Sequence, residues 1–171
     1  MRNVKLISRV LFYITRFLTG FYWLMALHSG IALLTGWSLH LRENGKYFQV
    51  YFPFTQTPVL NGDHNLPYIL LEFLLPLALY GLFFYLLGNV FRVFFQPKLF
   101  TAKGVKHLKR FYLANFIIPA VMVLLVSCID EPDTDGIAVI VLHGIIGIFA
   151  FFIAAIFKQG LDIQNEKDLF I

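Results

Sequence analysis

The sequence predicts an all-α integral membrane protein: a bundle of four transmembrane helices with a small outward-facing β-hairpin between the first and second. Three observations carry this. Hydrophobic residues make up 58% of the 171 residues and charged residues only 14%, with a mean hydropathy of +0.72. A water-soluble domain uses about 25% charged residues to solvate its surface, so this composition excludes a soluble enzyme. Four stretches lack Asp, Glu, Lys and Arg: residues 17–41, 73–91, 111–129 and 136–157. Each approaches the roughly 20 helical residues that cross a 30 Å hydrocarbon core. The remaining charges sort by connection, and that sorting gives the orientation.

The first span, placed at about 11–36, follows a basic N-terminus with Arg2, Lys5, Arg9 and Arg16 on one 60° arc. Arg16 is expected to snorkel to the inner interface, and the stripe to meet phosphates or the acidic tail. The apolar stretch is too long for a signal-peptide core and no A-x-A site follows, so the segment is expected to be retained. Between spans one and two, β-prone runs at 38–41 and 47–52 flank Glu43-Asn44-Gly45, and Asn-Gly is a strong hairpin signal because both positions tolerate positive φ. Trp37, Tyr47, Phe48, Tyr51, Phe52 and Phe54 are read there as interfacial anchors, with a ligand platform as the alternative.

Span two is placed at about 66–91, and Pro76 is expected to bend it. The following connection carries Arg92, Lys98, Lys103, Lys106, Lys109 and Arg110 with no acid. Thr101 reads as a helix N-cap. Beyond it Lys103, Lys106 and Arg110 share one face and Val105, Leu108 and Tyr112 the other, an amphipathic helix that enters span three at about 111–129. Its basic face suits a lipid surface or, as the sharper reading, a cytoplasmic docking surface formed by Lys103, Lys106, Lys109 and Arg110 with the acidic tail. Asp130, Glu131, Asp133 and Asp135 then form an acidic outer turn. Span four, at about 137–157, is expected to pack through Gly144, Gly147, Ala154 and Ala155. With the N-terminus in the cytoplasm, 12 basic residues lie inside and 2 outside, so both termini are placed in the cytoplasm.

Two stretches are similar to a known family. The tail at residues 156–171, with Lys158, Gly160, Leu161, Glu166, Asp168, Leu169 and Ile171, resembles the ending of the bacterial membrane-protein family called domain of unknown function 2975. The Phe100-Thr101 step followed by the basic helix to Arg110 is similar to that family's second connection. The resemblance implies a four-helix protein of the inner membrane, often encoded near a small helix-turn-helix DNA-binding protein, with no established catalytic residues. It covers the layout of the whole chain and about 30 residues of motif. The outer loop is not matched by these stretches, so the resemblance implies no outer-face function.

No phosphate-binding, zinc-protease, C-x-x-C or G-x-S-x-G motif is present. No catalytic residue and no cofactor are expected, and the basic residues are accounted for by membrane topology rather than by direct nucleic-acid binding. The lone Cys128 has no disulfide partner within the chain. Intramembrane ionisable groups are the remaining resource for chemistry: His28, Glu72 and His143, roughly 13, 9 and 10 Å below the outer ends of their spans. Converging, they would suit a proton or a divalent cation, whose identity the sequence leaves unknown. Apart, each would be bundle glue. Asn89 and Asn115 are placed nearer the cytoplasmic ends, within reach of water. The reading is a regulatory or sensory membrane subunit engaging a cytoplasmic partner such as a helix-turn-helix regulator, in the bilayer alone or as a homo-oligomer. The alternative is a small proton- or cation-coupled transporter component.

Overall fold

The computed structural model of the chain describes residues 2–128 and 134–168. The acidic turn expected from Asp130 onward, save the helical backbone at Thr134 and Asp135, and the closing Leu169 and Ile171 lie outside the described residues. Four long apolar helices dominate: α1 (Arg2–Thr35), α2 (Leu75–Phe94), α3 (Ala102–Ser127) and α4 (Thr134–Asp168). All four are long and apolar enough to cross a membrane, α2 together with the π-helical turn before it. α1 and α4 overrun the span lengths read from the sequence. At 1.5 Å per residue their 34 and 35 residues reach roughly 50 Å, well beyond a 30 Å apolar core.

The exposed surface marks this as a multi-pass membrane protein. Leu34, Phe17 and Leu24 are 89%, 72% and 67% exposed on α1, while Ser8, Thr15, Thr19 and Ser29 of the same helix are buried. Apolar side chains outward and small polar ones inward invert the pattern of a surface helix in water.

By internal contacts the chain forms two compact units, residues 19–82 and residues 1–18 with 83–171. The first contains the sheet. β1 (Leu39–Arg42), β2 (Tyr47–Tyr51) and β3 (Pro58–Asp63) pair antiparallel in the order β1-β2-β3. The expected hairpin is present, with Asn44 at φ 56° and Gly45 at φ 89° in its turn. The third strand is an addition to it. Its sequence, PVLNGD, reads as turn chemistry, but Pro58 opens the strand, where a missing N–H is tolerated at an edge. Phe48 and Val50 alternate onto one face and are fully buried in a cluster with Ala32 and the largely buried Phe73. Phe48 is thus a core residue and not an interfacial anchor, and Tyr51 on the opposite face is buried as well, whereas Trp37, Tyr47, Phe52 and Phe54 are exposed. On the other face Arg42 Nε donates to Gln49 Oε1 at 3.1 Å, and the Tyr51 hydroxyl donates to the same oxygen.

Before α2 the chain makes a π-helical turn, Tyr68–Leu74, in which the Leu75 N–H donates to the Leu70 carbonyl. Its cause is Pro76. Proline has no N–H for the Glu72 carbonyl four residues back and its ring would crowd that carbonyl, so the wider turn accommodates it. In the same unit the Trp23 indole N–H donates to the Ala78 carbonyl at 3.2 Å, and the ring lies where a Cβ on Gly81 would stand.

The second unit is built on the α3–α4 pair. Gly104, Leu108, Phe111, Asn115 and Pro119 form the buried stripe of α3, and Ala150, Ala154 and Phe157 that of α4, three and four residues apart as helix faces require. Gly147 belongs to this seam, since a Cβ there would come within 3.0 Å of the Phe116 ring. Of the four small residues expected to line it, Ala154 and Gly147 do. Ala155 is exposed and Gly144 has no close neighbour. The seam follows the 3-4 spacing through 147, 150, 154 and 157, and adjacent alanines cannot share it.

Candidate anion site at the start of the third helix

Within the second unit, the end of α2, the connection after it and the first turns of α3 line a half-open cavity of about 300 Å³. It is lined by Arg92 and Val93 of α2, by Gln96, Pro97 and Lys98 of the connection, and by Thr101, Lys103, Gly104 and His107. Four of these can carry positive charge, and none is acidic.

The local sequence explains the geometry. Pro97 stops α2 from continuing. Thr101, extended at φ −139°, accepts from the Gly104 N–H at 3.0 Å, the N-cap its sequence position predicts. The connection is anchored from behind by rings. Phe157 of α4 meets Phe94 and Phe100 edge to face at 5.4 and 5.3 Å, and Phe100 lies over Gly160, where a Cβ would be 2.7 Å from the ring. The Phe-Thr step and the glycine of the tail, far apart in sequence, are therefore in contact. A side chain at 160 would displace Phe100 and, with it, the cap that starts α3.

α3 then sorts its residues cleanly. Lys103, Lys106, Lys109 and Arg110 are all exposed, while Gly104, Leu108 and Phe111 are buried. His107 is half-buried and lies within electrostatic reach of Lys103, Arg110, Arg92 and Arg16. Arg92 and Lys98 enter the sequence reading only as charges of the connection, and His107 does not enter it. The signal that could have found them is the four-residue step from Lys103 to His107, which puts both on one face of α3.

Arg16 is held differently from the snorkelling side chain expected. Its Nη2 donates to Asn89 Oδ1, its Nη1 to the Tyr85 carbonyl at 3.3 Å, and the guanidinium stacks over the Tyr85 and Phe12 rings at 4.4 and 4.9 Å. A planar, weakly hydrated cation suits such neutral acceptors and aromatic faces. Gly88 leaves room for this contact, since a Cβ there would come within 2.8 Å of Thr15 Oγ1. Asn89 and Asn115 are both buried with protein partners, so water is not needed to satisfy them.

The intramembrane polar residues each have a local setting. His28 belongs to the sheet-bearing unit, where its Nε2–H donates to the Tyr51 carbonyl at 2.9 Å and its ring meets Trp37 edge to face at 5.7 Å. Glu72, in the same unit, is exposed on the π-helical turn. His143 belongs to the helical unit. Asn115 Nδ2 donates to the Phe111 carbonyl, which orients the amide so that Oδ1 accepts from His143 Nδ1–H at 2.8 Å. Among the described residues no three His, Cys, Asp or Glu side chains are grouped as a metal ion would require.

Comparison with known proteins adds a family. No curated protein and no solved structure matches the chain. The model of the family described as protein of unknown function (DUF2975) matches residues 47–171, from the first residue of β2 through the whole of α2, α3 and α4, and so takes in the cavity, both stretches of the resemblance and, contrary to the sequence expectation, residues 47–65 of the outer loop. With more than half of its length matched, the chain belongs to the DUF2975 family.

Proposed function

We propose that the protein is a membrane-resident regulatory or sensory subunit of a bacterial inner membrane, with both termini and the α2–α3 connection in the cytoplasm. It engages there the acidic face of a cytoplasmic partner such as a helix-turn-helix regulator. The observation that supports this best is the sorting of α3: four basic side chains, Lys103, Lys106, Lys109 and Arg110, are all exposed on a helix whose opposite face is locked into the α4 seam. A rigid backing with a charged exterior is what a docking surface needs. The orientation rests on 12 basic residues against 2. The transporter alternative has less support, because His28 and His143 each spend a ring N–H on a structural hydrogen bond.

The test is co-purification from detergent with the neighbouring cytoplasmic regulator, comparing the parent chain with Lys106→Glu and Lys109→Glu combined. Charge reversal at two contacts should weaken capture by about tenfold or more. Undiminished capture by the reversed chain, or labelling of a cysteine at position 106 from outside intact cells, overturns the reading.

A further inference from the structure

We infer that the cavity between α2 and α3 is a binding site for a phosphate group, presented by the headgroup of an anionic phospholipid or by a soluble phosphate ester. The inference rests on the cavity's own lining, which shares Lys103 with the docking face and takes Arg92, Lys98 and His107 from outside it. Arg92, Lys98, Lys103 and His107 line it from α2, from the connection and from α3, so three separate segments contribute its cations. A tetrahedral oxyanion can accept from several directions at once, which a planar carboxylate does less well, and arginine offers it a fork of two N–H groups. Gln96 and Thr101 add neutral polar groups to the wall.

The electrostatics point the same way. Arg16, Arg92, Lys103 and Arg110 all act on His107, and among the described residues no acidic side chain lines the cavity to offset them. Like charges gathered against a partly buried wall repel one another, and a bound anion relieves that repulsion. The volume, about 300 Å³, is at the small end for ligand pockets and suits a headgroup-sized ligand rather than a nucleotide. Position favours the lipid among the two sources. The cavity lies where apolar α2 ends at Phe94 and the basic, amphipathic first turns of α3 begin, and Val93 and Pro97 supply an apolar edge beside the cations. A phosphodiester held here would leave its acyl chains free to lie along the exposed Leu, Ile and Phe side chains of the helices.

The experiment uses the full chain in a maltoside detergent, which contributes no phosphate, and the combined variant Arg92→Gln with Lys98→Gln. Neither residue belongs to the proposed docking face, so this test and that of the partner fail independently. One arm titrates phosphatidylglycerol and counts retained lipids by native mass spectrometry. The other titrates inorganic phosphate and glycerol phosphate and follows the thermal transition. Lys106→Gln with Lys109→Gln removes the same charge away from the cavity and serves as the control, and retained helical circular dichroism shows that each variant is folded. The expected result is a loss of about tenfold or more in affinity for the cavity variant and less than about twofold for the control. Loss confined to the first arm identifies a lipid headgroup, and loss in the second a soluble phosphate. If the cavity variant binds as the parent does in both arms, or if the two variants lose affinity equally, the site does not exist.

Discussion

The two compact units solve the same packing problem with different periodicities. In residues 19–82 the inward side chains come from a strand, Phe48 and Val50 two residues apart, against Ala32 and Phe73. In the other unit they come from two helices, Leu108 and Phe111 against Ala150, Ala154 and Phe157, three and four residues apart. The strand solution leaves a polar outer face of Arg42, Gln49 and Tyr51 that bond one another. The helical solution leaves a row of basic side chains and a cavity lined by the same sign of charge. The outer face of the sheet bonds within itself, whereas the helical unit carries its cations exposed on α3. That difference is why the anion site and the docking face are both assigned to the helical unit.

The sharpest way to break the comparison is to empty each core in turn. Phe48→Ala removes a fully buried ring, and Leu108→Ala removes a fully buried branched chain, with expected losses of about 3–5 and about 2–5 kcal/mol. Hydrogen exchange in detergent should show the loss of protection after Phe48→Ala concentrated in residues 39–63, and that after Leu108→Ala in α3 and α4. Equal loss in both regions from either variant would mean that the units are one cooperative structure.

A smaller effect tests how the cavity is supported. Gly160→Ala raises helix propensity by up to about 1 kcal/mol but places a Cβ 2.7 Å from the Phe100 ring. The overlap should outweigh the gain and leave a net loss of about 1–2 kcal/mol in the thermal transition, with faster exchange at the start of α3. A stabilised protein would show that Phe100 moves aside freely and does not anchor the connection. The smallest effect isolates the cap. Thr101→Ala leaves the Gly104 N–H without its acceptor and should cost about 1 kcal/mol, with exchange quickened in the first turn of α3 and unchanged in the sheet.

Much of this was open to reading along the chain because it is local. Thr101 caps α3 as its position predicts, since a hydroxyl two or three residues ahead of free N–H groups needs no tertiary help. Asn44 and Gly45 turn the chain with positive φ for a reason confined to those two residues. β3 escaped because Pro58, Asn61, Gly62 and Asp63 are individually poor strand formers, and pairing with β2 overrides that preference. Phe48 and Tyr51 were misplaced for a similar reason. An aromatic side chain suits a core and an interface equally well until the strand's neighbours decide which.

The sequence by itself determined four helices long and apolar enough to cross a membrane, because the cost of an unpaired peptide group in hydrocarbon acts on every residue of a span alike. It determined the basic face of α3 as well, because a helix turns by a constant angle per residue. Only the tertiary structure decided that Asn115 orients His143, that Arg16 rests on Asn89 and two aromatic rings, and that Phe100 lies over Gly160. The cavity belongs to that second group. Its lining comes from α2, a connection and α3, and periodicity within one helix carries no information about which residues of another will face it across a gap.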